Sequence, residues 1–186
     1  LYQLPLTLVP NIGDVHAKTL VQHFGDATSI FKAKQIHLEK VEGIGEIRAK
    51  AIKQFDDFHL AETELQFTEK YKIKPIFLTD AAYPQRLLNC YDSPTLLFYK
   101  GTADLNASKV VAIVGTRSNT DYGKSFTEAL VKDLAAEGVV VVSGLAFGID
   151  AIAHKASIKN GVSTIGVVGH GLNKIYPSQH AGLAKE

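Results

Sequence analysis

The chain has 186 residues, of which 46% are apolar and 21% charged, a composition typical of a soluble globular protein with one or two domains. Its net charge of +1 is far from that of a strongly basic nucleic-acid binder, so any such binding must come from local placement of charge. A membrane span and a signal peptide are not indicated, a single Cys90 excludes an internal disulfide, and we expect a cytoplasmic protein.

An internal repeat opens the chain. The segment VPNIGDVHAKTL (9–20) aligns without gaps with VEGIGEIRAKAI (41–52). Each copy predicts a turn around Ile-Gly that leads into a helix, and the pattern resembles the helix-hairpin-helix repeat, whose turn can present N–H groups to a phosphate. Residues 1–65 hold seven Lys and Arg against nine Asp and Glu, a net charge of −2. This charge favours a helical module that packs on a neighbour over one that contacts DNA.

A change of pattern follows the repeat. Residues 55–70 continue as a predicted helix, after which IKPIFL (73–78) and TLLFY (95–99) read as strands. Between these two strands, AAYPQRLLNC predicts a short helix with Pro84 near its start.

The remainder of the chain alternates between strands and helices. Strands are predicted over 110–114, 139–142 and 163–168, with helices over 123–137 and 150–159 between them. This order predicts a doubly wound α/β domain with a parallel sheet and right-handed crossovers. We therefore divide the chain into a helical domain over 1–65 and an α/β domain over 66–186.

Glycine follows each of the three predicted parallel strands, at the edge where such sheets bind ligands. Glycine lets a phosphate approach the backbone closely, an arginine offers a bidentate donor, and hydroxyl groups offer further hydrogen bonds. We expect a phosphate-binding site on this edge, rather than three tight turns that merely need glycine. The three strand tips are Gly115-Thr116-Arg117, Ser143-Gly144-Leu145-Ala146-Phe147-Gly148 and Gly169-His170-Gly171.

The sequence argues against the common nucleotide sites. A dinucleotide fold needs G-x-G-x-x-G at the first tip and an acidic residue after the second strand, where Ser143 stands. A P-loop needs a glycine five residues before Gly123, and Ser118 stands there instead.

Catalytic and metal sites are not indicated either. The stretch VVSGLAFG lacks the first glycine of a nucleophile elbow, and the histidines lack metal-ligand spacing. Asp150 and His154 lie four residues apart on one predicted helix, so we expect them to bond each other or to cap its first turn, rather than to form a catalytic pair. We expect no cofactor.

Five segments together resemble the DNA-processing protein A family, also called DprA or Smf. None of them alone would be specific, but their conjunction covers most of the chain. They are LTDAAYPQRLL (78–88), DSPTLLFYKG (92–101), GTRSNTDYGKS (115–125), SGLAFGIDAIAHKASIKNG (143–161) and STIGVVGHGLNKIYPSQHAGL (163–183).

The resemblance implies a sequence-independent single-stranded DNA-binding protein without enzymatic activity. Such a protein acts as a recombination mediator that protects incoming DNA and helps load the RecA recombinase during natural transformation. The implied fold is an extended Rossmann-like, doubly wound parallel sheet, preceded by a small all-helical domain of the helix-hairpin-helix or SAM-like type. The family protein forms a homodimer, and its sheet domain continues beyond the segment present here.

The resemblance also implies roles for residues at the three tips. Gly115, Thr116 and Arg117 would grip the DNA backbone, while the second and third tips would form the rest of the pocket. Some relatives carry a lysine directly after Tyr-Pro, where this chain has Ser178, so Lys174 is a candidate substitute. Phe147 is a candidate for stacking on a base, although inward packing is favoured. The other implied DNA-binding residues are Ser143, Gly144, Gly148, Gly169 and Gly171.

Two alternatives remain open. The first is a Rossmann-type nucleotide-binding enzyme similar to nucleoside monophosphate phosphoribohydrolases, although their P-G-G-x-G-T-x-x-E motif with its catalytic glutamate is absent. The second is a docking or regulatory role for the acidic repeat module, in which deletion of residues 1–65 would spare DNA affinity but alter partner binding.

Overall fold

The computed structural model describes residues 2–186, and the chain divides into two compact units. The first unit runs to Gly101, and the second begins at Thr102. The predicted division after residue 65 stays a prediction, and a helix runs continuously through that position. No helix in the described part of the chain combines the length and apolarity that a bilayer crossing needs.

Six helices begin the first unit, and the internal repeat is visible among them. The two copies supply the second and fifth helices. Equivalent apolar positions are buried in both copies: Ile12 and Ile44 are both buried, and so are Ala17 and Ala49. The predicted turn-then-helix structure of each copy is confirmed. The helices are α1 (Gln3–Leu8), α2 (Asp14–Phe24), α3 (Ala27–Lys32), α4 (Gln35–Glu39), α5 (Gly45–Gln54) and α6 (Phe58–Lys70).

The start of α6 differs from the prediction of a helix over 55–70. The helix begins at Phe58, because the Asp57 carboxylate accepts a hydrogen bond from the Leu60 N–H at 3.4 Å and caps the first turn. Residues 55–57 therefore form the connection between α5 and α6.

An antiparallel pair of strands completes the first unit. Strand β1 (Lys74–Phe77) pairs with β2 (Leu96–Tyr99), and the predicted short helix between them is a 3-10 helix over Gln85–Asn89. The first repeat copy is fastened to this region. Its Asp14 accepts a hydrogen bond from the Thr95 N–H at 2.8 Å, and its Lys18 donates to two carbonyl oxygens, those of Leu88 and Cys90.

The second unit is built on a parallel sheet, as predicted. Strand β4 lies between β3 and β5, and Val141 pairs with Val111 on one side and Thr164 on the other. The predicted architecture of a helical region followed by an α/β domain with a parallel sheet is confirmed. The elements are β3 (Val110–Ala112), α7 (Asp121–Leu134), β4 (Val140–Ser143), α8 (Ile149–Lys159) and β5 (Ser163–Gly166).

Two of the parallel strands are shorter than predicted. Strand β3 ends at Ala112, and β5 ends at Gly166, since the chain leaves the sheet there toward the tips. Single hydrogen bonds continue beyond both ends, from the Ile113 N–H to the Val142 oxygen and from the Val167 N–H to the Ser143 oxygen.

The crossover helices hold the sheet from one side through an apolar core. Helix α7 begins two residues before the predicted start, because the Thr120 hydroxyl accepts from the Gly123 N–H at 3.1 Å. Its continuation ends at Gly138 in a left-handed conformation, as predicted. The buried core comprises Ile113, Val131, Val139, Val141, Ala153, Ala156 and Val162.

Candidate functional site

The first tip is a solvent-exposed loop that carries the only arginine of the second unit. Gly115, Thr116 and Arg117 are all exposed, and no hydrogen bond or ion pair engages the Arg117 guanidinium within residues 2–186. The Thr116 hydroxyl accepts from the Ser118 N–H at 3.1 Å, which fixes the turn that follows the strand. The arginine is therefore available to an external anion.

Close packing explains two of the tip glycines. A Cβ atom at Gly115 would lie 2.6 Å from Cγ1 of Ile149, the first residue of α8. Gly148 has a φ of +78°, and a Cβ atom there would overlap the backbone of Thr116 and Arg117. The Ile149 N–H also donates to the Thr116 oxygen at 3.1 Å. The start of α8 thus supports the loop that carries Arg117.

Ser143 does not offer its hydroxyl to a ligand, contrary to the expectation from the sequence. Its side chain is buried, and its Oγ donates to the Ile113 oxygen at 2.7 Å. A buried serine can satisfy its hydroxyl on a backbone oxygen at the end of the neighbouring strand. The hydroxyl therefore ties β4 to the end of β3, and Ser143 lies beneath the tips.

The Gly144 N–H bonds to a buried carboxylate of the same unit. The Asp150 carboxylate is buried, and its Oδ2 accepts from the Gly144 N–H at 3.1 Å and the Ala146 N–H at 3.4 Å. These two amides form the kind of nest that binds anions, and here a side chain of the same unit occupies it. Gly144 therefore belongs to the floor of the tip, and an external phosphate must bind elsewhere on the edge.

The prediction that Asp150 and His154 bond each other or cap the first turn of their helix is wrong, because Asp150 bonds to the preceding loop and α8 has no side-chain cap. The His154 Nδ1 lies 2.7 Å from the Thr164 hydroxyl, which donates its own proton to the Val141 oxygen. His154 must therefore carry its proton on Nδ1, while its buried Nε2 and the Asp150 Oδ1 have no hydrogen-bond partner within the described residues. The pKa of His154 is lowered, first by burial and then by His180, although the Asp150 carboxylate acts against this shift.

The third tip is an open loop. Gly169 has no heavy atom within 4 Å of the position of a Cβ atom, and both Gly169 and Gly171 are exposed. Lys174 is exposed as well, and its N–H donates to the Gly171 oxygen at 3.3 Å. No hydrogen bond or ion pair engages the Lys174 ammonium group in the part of the chain that the structure describes. Lys174 is thus a second cation available at this edge.

His180, which follows the third tip along the chain, bonds to the second tip. The sequence pattern did not single it out. It lies on a short 3-10 helix (Ser178–His180), and its Nδ1 donates to the Leu145 oxygen at 2.8 Å. Its ring also packs edge-on against Phe147, with ring centroids 4.9 Å apart. Phe147 is 42% exposed, so one part of its ring is packed and another part faces solvent. A histidine 35 residues along the chain from its partner gives no local sequence signal.

An apolar groove lies beside the first tip, between β3 and α7. It encloses about 340 Å³, and apolar side chains such as Val114, Tyr122 and Phe126 line most of it. This groove offers no cationic group to a phosphate, so the anion-binding part of the edge is the loop around Arg117.

Family models match nearly the whole chain. The model of the DNA recombination-mediator protein A family matches residues 74–186. A model of the helix-hairpin-helix motif matches residues 6–62, in agreement with the resemblance of the internal repeat.

Curated relatives are similar over long stretches. Protein Smf of Synechocystis sp. is 38% identical over 193 residues, which cover 100% of this chain and 48% of that protein. DNA processing protein DprA of Streptococcus pneumoniae is 42% identical over 130 residues, which cover 70% of this chain and 44% of that protein. The chain therefore spans about half the length of these curated relatives.

Two solved structures are similar in fold. The X-ray structure of DprA from Streptococcus pneumoniae has a TM-score of 0.75 at 31% identity, and the match covers 99% of this chain and 62% of that one. A structure of DprA from Helicobacter pylori, described as having a unique single-stranded DNA binding mode, has a TM-score of 0.50 at 32% identity. That match covers 60% of this chain and 50% of the other.

Proposed function

Because the chain belongs to the DNA recombination-mediator protein A family, we propose that it binds single-stranded DNA independently of sequence and acts as a recombination mediator. One observation carries this proposal. Arg117 is exposed, has no partner among residues 2–186, and stands on a loop whose backbone is held against the start of α8 by Gly148 and Ile149. A guanidinium can bind two phosphate oxygens at once, and a loop that is already held in place loses little backbone freedom when it does so.

The chemistry of the edge suits a flexible polynucleotide. Binding of single strands without sequence preference needs phosphate donors and a few stacking surfaces, rather than groups that read base edges. Arg117 and Lys174 would supply the positive charge, and the solvent-facing part of the Phe147 ring would supply a stacking surface. Thr116 and the exposed Gly169 and Gly171 would let the DNA backbone approach. Gly115 and Gly148 would act by packing the first tip against α8, with Ser143 and Gly144 beneath the DNA.

The experiment compares Arg117→Ala with the unchanged chain in binding to a fluorescent oligo(dT) over a series of salt concentrations. Removal of one phosphate contact should weaken binding by about 1 to 3 kcal/mol. The slope of log K against log salt should also fall by about 0.7, the value for one contact to a single strand. A duplex of the same length should bind more weakly than oligo(dT).

Lys132→Ala is the matched control. Lys132 is also an exposed cation of the second unit. It lies in the last turn of α7, whereas the first tip leads into the first turn of that helix. Its removal changes the net charge equally and should leave the salt slope unchanged. Equal effects of the two variants, or no effect of Arg117→Ala, would refute the proposal.

The finer parts of the proposal concern the protein in its cell. We propose that it works in the cytoplasm without enzymatic activity, protects incoming DNA during natural transformation, helps load RecA, and forms a homodimer at full length. RecA assembly on oligonucleotides covered by single-strand-binding protein tests the loading step. Addition of the protein should shorten the delay before RecA filaments form, and Arg117→Ala should abolish that gain.

A further inference from the structure

The turn at the second tip holds a leucine in a backbone conformation that leucine rarely adopts. Leu145 has a φ of +59°, although its side chain is buried. A left-handed conformation is unfavourable for a residue with a Cβ atom, and such residues persist where the surroundings hold them in place. Strain of this kind occurs most often at functional sites.

Two side chains from outside this turn bond to its backbone. The Asp150 carboxylate accepts from the amides on either side of Leu145, those of Gly144 and Ala146. His180 donates to the carbonyl oxygen of Leu145 itself, at 2.8 Å. Three backbone groups of the turn, which belong to its 143–144 and 145–146 peptide units, are therefore bonded to side chains that lie outside it.

The far end of the same turn supports the first tip. Gly148 closes the turn with a φ of +78°, and a Cβ atom there would lie 2.8 Å from the Cα atom of Arg117. The next residue, Ile149, donates its N–H to the Thr116 oxygen. A shift of the turn would therefore move the backbone that carries the guanidinium.

We propose that Asp150 and His180 are positioning residues that hold the Leu145 turn in place, so that Gly148 fixes the loop of Arg117 for binding to single-stranded DNA. This inference rests on the proposed function. For the removal of Asp150, it predicts a change in DNA affinity opposite to the one expected from charge alone. Removal of a buried negative charge near a phosphate site should strengthen DNA binding, whereas loss of a positioning contact should weaken it.

The test uses Asp150→Ala and Asp150→Asn in the 186-residue chain, with oligo(dT) as the probe. Asp150→Ala removes the acceptor for two amides and should weaken binding at least threefold, with a salt slope lower by about 0.7. Asp150→Asn keeps an acceptor oxygen but removes the charge, so it should bind as tightly as the unchanged chain or more tightly. A smaller folded fraction alone would lower the apparent affinity without changing the salt slope.

A double-mutant cycle with Arg117→Ala separates this inference from the proposed function. If Asp150 acts through Arg117, the Asp150→Ala change should cost less than twofold in binding once Arg117 is absent. Independent, additive effects would overturn the positioning role and leave the proposed function intact. No effect of Arg117→Ala alone would overturn the proposed function itself.

His180 provides a second route to the same answer if Asp150→Ala does not fold. His180→Ala removes the donor to the Leu145 oxygen and should weaken oligo(dT) binding at least threefold. His180→Asn should restore most of the binding, because its amide nitrogen can occupy the place of the imidazole Nδ1. Unchanged binding in a folded His180→Ala variant, or no rescue by asparagine, would contradict the proposal.

Discussion

Gly148 lies so close to Arg117 that a Cβ atom on residue 148 would come within 2.8 Å of the arginine Cα atom. The glycine is therefore part of the support for the Arg117 loop, which we propose binds DNA. We expect Gly148→Ala to weaken oligo(dT) binding about as much as Arg117→Ala does, because the added methyl group must displace the loop backbone. It should also lower the free energy of unfolding by more than the roughly 1 to 2 kcal/mol that the left-handed conformation by itself costs an alanine. Fluorescence anisotropy and chemical denaturation measure the two effects.

Gly161→Ala is the control for backbone strain. Gly161 has a φ of +68°, yet nothing lies within 4 Å of the position of its Cβ atom. Its substitution should lower the free energy of unfolding only by the cost of a left-handed alanine, and it should leave DNA binding unchanged. Equal losses of binding in the two alanine variants would show that strain, and not contact with the Arg117 loop, explains the need for glycine at 148.

The glycines of the first and third tips should respond differently to the same change. Gly115→Ala should destabilise the second unit by about 1 to 3 kcal/mol, because the new methyl group overlaps the Ile149 side chain at 2.6 Å. Gly169→Ala has open space around its Cβ atom and should change the free energy of unfolding by less than about 0.5 kcal/mol. Thermal unfolding of the two variants tests this difference, and similar midpoints would contradict it.

The two copies of the internal repeat offer a matched pair of variants. Asp14→Ala removes the acceptor of the Thr95 N–H and should destabilise the first unit by about 1 to 3 kcal/mol. Glu46→Ala, at the equivalent position of the second copy, alters an exposed side chain and should change the free energy of unfolding by less than about 0.5 kcal/mol. Urea denaturation provides the measurement. We expect oligo(dT) affinity to stay the same in both variants, and a loss in either would implicate the hairpins in DNA contact.

The buried His154 should make the second unit less stable in acid. Burial lowers its pKa below the ordinary value of 6.5, so above pH 6.5 the side chain is neutral in both the folded and unfolded states. Below pH 6.5 His154 is protonated in the unfolded chain but stays neutral in the folded chain until the pH reaches its lowered pKa. The free energy of unfolding therefore falls by at most about 1.4 kcal/mol per pH unit in this range.

His154→Asn isolates this contribution from those of other histidines. Asparagine can keep the donor to the Thr164 hydroxyl and does not titrate, so its stability should decline less steeply between pH 6.5 and 5. His16, whose pKa is also lowered, by burial and then by Arg48, remains in both proteins and cancels in the comparison. Parallel curves of unfolding free energy against pH would contradict the assignment to His154.

The alternation of elements and the glycine tips could be predicted from the sequence because both are local patterns. Apolar β-branched runs mark the strands around Val111 and Val141, and Gly138 marks the end of the helical segment between them. The turn and helix of each repeat copy could also be predicted, since each copy carries its own local pattern. Strand ends were less certain, because a chain can leave a sheet while its residues remain apolar, as at Val114.

Contacts between distant residues account for what the sequence did not predict. Strand periodicity does not reveal that the Ser143 hydroxyl donates to the Ile113 oxygen, which lies 30 residues away along the chain. A left-handed Leu145 has no propensity signal, because tertiary contacts from Asp150 and His180 impose it. Asp150 itself bonds to the preceding loop, not to the histidine one helical turn away.

The attachment of the first repeat copy to the strand pair has a consequence for how the duplication can evolve. Asp14 and Lys18 are committed to backbone partners, whereas no hydrogen bond or ion pair engages the Glu46 or Lys50 side chain among the described residues. Substitutions of Asp14 and Lys18 therefore carry a folding penalty that those of Glu46 and Lys50 escape. Natural variation should accumulate faster at positions 46 and 50 than at 14 and 18, which leaves the exposed face of the second copy free to acquire a new binding partner.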